Sequence, residues 1–273
     1  MSNRIPKNEY SIDQNTRTKI ADRCAAVTKA INRDFWNGST DSSHSFYVGS
    51  YGRHTAISTS DVDILLKLPK SEYERFDAAK GNGQSRLLQS VKDAITTTYS
   101  QSDVHADGQV VVIKFSDGIK LELLPAFEDT DFWGNGKGTY TYPDTNMGGN
   151  WRSTNPNAEI KAMSDKNDLS YGLFYDTCKH LRYIRDNVFP GHHLSGIVID
   201  TFVYQAMGNW RWTQPGGVGA AAGLYESVLL DSYNSSTFNG RICPTYIVPG
   251  SLMTIVPSEK DIETLGKVLR GIN

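Results

Sequence analysis

Asp61 and Asp63 stand one residue apart at the head of DVDILLKLP, shortly after a Gly-Ser turn at Gly49-Ser50 and a second small element, Gly52-Arg53-His54-Thr55. The run from Val62 to Leu68 reads as a strand, and side chains alternate across a strand. Asp61 and Asp63 therefore point to one face, while Val62, Ile64 and Leu66 point to the other. Two carboxylates about 5 Å apart at an effective dielectric near 20 repel by roughly 3 kcal/mol. Solubility alone gives no reason to carry that cost beside an apolar run. A divalent cation removes it, and hard oxygen ligands suit Mg²⁺, above all where phosphate oxygens complete its octahedron. The Gly49-Ser50 turn can meet those phosphates with backbone N–H groups and one hydroxyl.

The pattern G-S-x-x-x-x-T followed by D-x-D resembles the nucleotidyltransferase signature of the polymerase-β-like fold. The spelling GSYGRHTAIS-SDVDILL is similar to that of the bacterial cGAS/DncV-like enzymes (CD-NTases), which make cyclic oligonucleotides. The likeness runs roughly from Ser11 to Met207. It implies an α+β fold in two lobes, with a small mixed sheet forming the catalytic lobe, a helical lobe, and a long N-terminal spine helix. We place the lobes at residues 1–135 and 136–273.

The resemblance also assigns roles. Glu122, in LELLPAF, stands where the family has its third carboxylate, although the commoner residue is Asp. Asp61, Asp63 and Glu122 are then the ligands of two Mg²⁺ ions, with Mn²⁺ as a substitute. Gly49, Ser50, Lys179 and Arg182 are expected at the donor triphosphate. Arg182 matches a family Lys, and binds phosphate as a planar fork instead of a point charge. Ser195 resembles a further residue that touches the phosphates. The reaction implied is attack of a ribose hydroxyl on the α-phosphorus with loss of pyrophosphate, and a second transfer closes a cyclic di- or trinucleotide. ATP, GTP or both are the expected substrates, with pyrimidine nucleotides left open. A cyclic-nucleotide-activated effector in antiphage (CBASS) signalling is the expected downstream partner. Two other readings stand beside this one: transfer to an RNA or protein acceptor, and nucleotide binding without catalysis.

The elements that must hold these residues are legible in the periodicity. Ile20, Cys24, Val27, Ile31 and Phe35 form one stripe of a helix spanning 11–35. Residues 71–85 read as a loop or helix start, and Leu88, Val91, Ile95 and Tyr99 mark a helix after it. Two apolar runs, 110–115 and 119–124, flank Ser116-Asp117-Gly118 and predict a hairpin. In the second run Glu122 leaves the face that Leu121 occupies. From 128 to 157 the Gly, Asn, Thr and Tyr content predicts a long connection, in which Trp133 and Trp151 could stack a base or pack at a junction. Helices are expected at 171–188, 195–207 and 258–269, the last opened by Ser258 and Asp261.

Composition narrows the class. With 38% hydrophobic and 21% charged residues over 273 positions, the chain has the makings of a globular core. No apolar run is long enough to span a membrane, and MSNRIPKNEYSID carries no signal-peptide core. Cys24, Cys178 and Cys243 are odd in number and scattered, which predicts thiols in a reducing cytoplasm and no zinc site. A net charge of −2 gives no sign of a duplex nucleic-acid partner. Gly217-Val218-Gly219-Ala220-Ala221-Ala222 spells a dinucleotide-binding fingerprint but follows no strand, and His192-His193 lacks a third ligand, so neither is read as a site.

Overall fold

In the computed structural model, which describes residues 10–214, 224–237 and 245–272, one long strand organises the sheet. This is β5 (Lys120–Thr130), and it follows β1 (Ser45–Tyr47), β2 (Val62–Lys67), β3 (Asp103–Asp107) and β4 (Val110–Lys114). The first half of β5 lies between β2, parallel, and β4, antiparallel. Its second half pairs with β6 (Gly136–Asp144), which in turn pairs with β7 (Asn150–Thr154). Pro125 falls after the last β4 partner, at Leu123, and before the first β6 partner, at Phe127. A residue without an N–H is tolerated in that gap.

The expected long connection over 128–157 is thus mostly strand. Local bonds hold it: Asp129 accepts from the hydroxyls of Thr139 and Thr141, at 2.6 and 2.8 Å, and Asp131 accepts from the N–H groups of Trp133 and Asn135 in the turn. Trp133 is 82% exposed at that turn. Trp151 instead packs on Tyr73 and Phe127, and its indole N–H donates to Asp77 at 2.9 Å.

Helix α1 (Gln14–Phe35) begins three residues later than its stripe suggested, because the Asp13 carboxylate caps it by accepting from the Thr16 N–H. Ile20, Val27 and Ile31 are buried along it. Arg23 and Lys19 of α1 hold Asp117 in the β4–β5 turn, Arg23 through both terminal nitrogens at 3.0 and 2.9 Å. These bonds keep the Asp117 carboxyl well below the usual carboxylate range. After β1 comes a single turn, α2 (Gly49–Gly52). Residues 71–85, read as a loop or helix start, fall in a short helix, α3 (Lys70–Asp77), and the start of α4 (Gly83–Thr98), which Asn82 caps by accepting from the Ser85 N–H.

These elements make up one unit, Asp13–Gly52 with Asp61–Asn157. The boundary expected at 135 falls inside the β5–β6 hairpin, and the unit ends near 157 instead. The second unit contains residues 10–12, Arg53–Ser60 and the described residues from Ala158 onward. Its helices are α5 (Pro156–Leu169), α6 (Leu173–Val188), α7 (Gly196–Ala206), α8 (Leu224–Ser236) and α9 (Glu259–Gly271), and a two-stranded ribbon pairs Tyr246–Ile247 with Thr254–Ile255. Helix α5 had no counterpart in the sequence reading. Leu173, Phe174, Cys178 and Leu181 of α6, Ile199, Phe202 and Val203 of α7, and Leu265, Val268 and Leu269 of α9 share one core. The Ser258–Asp261 capping box opens α9 as expected. Cys24 and Cys178 are free thiols; Cys243 and the Gly217–Ala222 segment lie outside the described residues. Among the described residues, no helix is long and apolar enough to cross a membrane.

Candidate active site

The register of β2 against β5 assembles the acids. Asp63 pairs with Glu122 across the parallel ladder, and Asp61 precedes Asp63 by one alternation. All three carboxylates therefore belong to one face of the sheet, while Val62, Ile64, Leu121 and Leu123 are buried on the other. Two strands distant in sequence meet here because their apolar faces share that core.

Helix α2 closes on the same place. Gly49 has φ +57°, and a Cβ built on it would overlap Asp63 Oδ2. The backbone thus approaches the carboxylate more closely than any side-chain-bearing residue could. Gly49→Ala must push Asp63 aside and adopt a left-handed backbone. Because a shift near 1 Å at a reacting centre costs about 10²-fold, we expect kcat/KM to fall by roughly that factor while the far-ultraviolet circular dichroism is unchanged. Ser50 follows in the same turn, half-buried.

Lys120 was not singled out by the sequence. Its ammonium donates to Asp61 Oδ2 at 2.8 Å and to Glu122 Oε1 at 2.6 Å, bridging two of the three acids. Partial burial alone would lower the Lys120 pKa; the bonds to Asp61 and Glu122 outweigh it and hold the ammonium well above the ordinary lysine range. The signal available beforehand was the alternation K-L-E, which puts Lys120 and Glu122 on one face of β5.

The donor chemistry of these residues is of the kind that holds a divalent cation. The face offers hard carboxylate oxygens, the donor type a divalent cation takes, and Lys120 stands between two of them; among the described residues, no three such side chains are already gathered as a ligand set.

The other expected residues lie in the helical unit. Lys179 is half-buried on α6. Arg182, three residues on, is buried to 1% exposure, with Nη1 and Nη2 on the two oxygens of Asp200 from α7 at 2.6 and 2.9 Å. Nη2 also donates to the Gly196 carbonyl. The expectation that Arg182 meets the triphosphate does not suit a guanidinium whose donors are spent on buried partners. Its helix face packs inward on a carboxylate that the sequence reading had not noticed. Ser195 is half-buried at the start of α7, and its N–H donates to Asp261 Oδ1 at 2.7 Å.

A mixed sheet with three acids on one face and a Gly-Ser turn against them, accompanied by a helical unit, defines a nucleotidyltransferase of the polymerase-β-like fold. The chain belongs to the family of the Second Messenger Oligonucleotide or Dinucleotide Synthetase domain (SMODS), which matches residues 5–167. Solved structures share the fold at low identity. A CdnE cyclic dinucleotide synthase of Elizabethkingia meningoseptica, with GTP and Apcpp, is 15% identical over 98% of this chain and 93% of its own, with a TM-score of 0.61. A STING-associated CdnE c-di-GMP synthase of Capnocytophaga granulosa is 14% identical over 94% and 78%, with a TM-score of 0.66. The Vibrio cholerae DncV cyclic AMP-GMP synthase, in complex with the linear intermediate 5′ pppA(3′,5′)pG, is 10% identical over 96% and 85%, with a TM-score of 0.65. No match was found among curated proteins.

Proposed function

We propose that this protein joins ribonucleoside triphosphates into a cyclic di- or trinucleotide messenger, with Asp61, Asp63 and Glu122 holding two Mg²⁺ ions. The single observation that carries the reading is the Asp63–Glu122 register, which brings acids 59 positions apart to one sheet face beside Gly49. Bound there, the ions supply charge neutralisation at the triphosphate and a lowered pKa for the attacking ribose hydroxyl. The chain's own part is positioning. Asp61 and Asp63 fix the reacting centre on a rigid strand, and the Gly49-Ser50 turn orients the donor phosphates with its N–H groups and hydroxyl. Lys179 remains the candidate cation of the helical unit for the β and γ charges, and Ser195 a weaker one. The likeness to synthases solved with GTP, Apcpp and a linear pppApG supports purine triphosphates as substrates. A cytoplasmic effector that responds to the product, as in antiphage signalling, completes the reading.

The test is product analysis. Purified protein is incubated with the four radiolabelled ribonucleoside triphosphates and Mg²⁺, treated with phosphatase, and resolved by chromatography and mass spectrometry. A phosphatase-resistant product without a free end supports the proposal and names its bases. A linear product, or label passed to RNA or protein, replaces it with the corresponding transferase. Glu122→Gln separates binding from chemistry: turnover is expected to fall by about 10²-fold or more, while the affinity for a fluorescent non-hydrolysable triphosphate stays within about threefold of wild type. An equal loss of both would remove Glu122 from the reacting centre.

A further inference from the structure

On the sheet face that carries the three carboxylates, the Lys120 ammonium bridges two of them. Lys120 reaches Asp61 and Glu122 at 2.8 and 2.6 Å, and its side chain keeps 29% of its surface in contact with solvent. The stem is flexible and the ammonium is a compact point charge, so it can leave without disturbing β5. The backbone around it is fixed: Lys120 pairs with Lys114 and Glu122 with Val112 in the β4–β5 ladder, and Glu122 with Asp63 across β2.

We propose that Lys120 is a built-in counter-ion that holds Asp61 and Glu122 together in the metal-free protein and competes with the divalent cation for the same oxygens. The inference rests on the metal assignment made above and adds to it. A cation arriving at these carboxylates must displace the ammonium, so the free site stays ordered while its intrinsic ion affinity is held down. The ion then binds firmly only with help from another ligand set, such as the phosphates of a bound nucleotide. Lys120 is a positioning residue in this account: it acts through Asp61 and Glu122 and touches no reacting atom.

The experiment measures ion binding itself. Mn²⁺ is titrated into nucleotide-free protein and the free ion is read by electron paramagnetic resonance, for wild type, Lys120→Met, Lys120→Gln, Lys120→Arg and Asp61→Asn. Lys120→Met and Lys120→Gln are expected to bind Mn²⁺ about tenfold more tightly than wild type, and Lys120→Arg to stay near wild type because it keeps the charge. In EDTA the two neutral variants should melt about 2–4 °C below wild type, and Mn²⁺ should raise their melting temperature more than it raises that of wild type. Unchanged or weaker Mn²⁺ affinity in both neutral variants, with Asp61→Asn abolishing the site, overturns the role of Lys120 and leaves the metal assignment standing. Binding that survives Asp61→Asn undiminished overturns the metal assignment, and the competition with it.

Discussion

Asp63→Asn is expected to lower product formation by about 10³-fold or more, equivalent to roughly 4 kcal/mol of lost transition-state stabilisation, with melting temperature and circular dichroism close to wild type. The substitution keeps the size of the side chain and the β2–β5 register, in which Asp63 stands opposite Glu122. It removes one negative charge from the point that Gly49 approaches most closely. Asp61→Asn should behave alike in turnover but differ in stability, because Asp61 shares the Lys120 ammonium with Glu122 and loses part of a charge-assisted bond. Single-turnover assays with a saturating triphosphate separate the chemical step from binding. Wild-type-like rates in either variant would sink the metal assignment at that residue.

The acids were legible in the sequence because strand alternation is strict: D-x-D before an apolar run can only share a face. The hairpin from Val110 to Leu124 was legible for the same reason, with Asp117-Gly118 marking its turn. The sequence could not show that β5 continues past Pro125 and recruits β6 and β7, since a Gly-, Thr- and Tyr-rich stretch has the composition of a loop until a partner strand gives it a ladder. Lys120 lay in plain view on the Glu122 face, but its bridge to Asp61 depends on the β2–β5 pairing, which is a tertiary fact. Arg182 is a different case. Its spacing from Lys179 suggested a shared basic face, yet the local pattern is silent about what faces a helix. The usable signal was one α7 residue, Asp200, the single charge in GIVIDTFVYQA. A lone carboxylate in an apolar helix needs a buried cation.

That carboxylate carries the second large effect. Asp200 is fully buried and accepts from Arg182 through both oxygens, from Arg53 Nε at 3.1 Å and from the Thr55 hydroxyl at 3.0 Å. Arg53 extends the network to Glu159 at 3.4 Å. Removing one member of such a cluster strands the opposite charges away from water, at a cost of about 3–5 kcal/mol. Asp200→Asn should therefore lower the melting temperature by roughly 10 °C. Arg182→Ala should show a loss of similar size, a failure of stability and not of nucleotide affinity. The effect has a pH signature. Burial alone would raise the Asp200 carboxyl, but the guanidinium groups of Arg182 and Arg53 outweigh it and hold it below the ordinary range. The unfolded chain then binds the proton more readily, so this contribution is complete above the unfolded pKa near 3.9 and fades as pH falls through the lower folded value. Glu159 works in the opposite sense: burial raises its carboxyl, Arg53 offsets that only in part, and its contribution is lost as pH rises through the raised value. Urea unfolding between pH 6 and 3 should show a flatter acid limb in Asp200→Asn than in wild type. The paired variant Arg182→Met with Asp200→Leu discriminates further. It removes both charges at the centre and leaves Arg53 to Glu159, so it should be more stable than either Asp200→Asn or Arg182→Ala. If it is as unstable as the worse of the two, the cluster's value lies in its shape and hydrogen bonds, and charge pairing is the wrong account of it. The question bears on the proposed site as well: the Arg53–Ser60 segment that Asp200 grips begins next to Gly52 and ends next to Asp61, so the chain runs straight from it into the candidate turn on one side and strand β2 on the other.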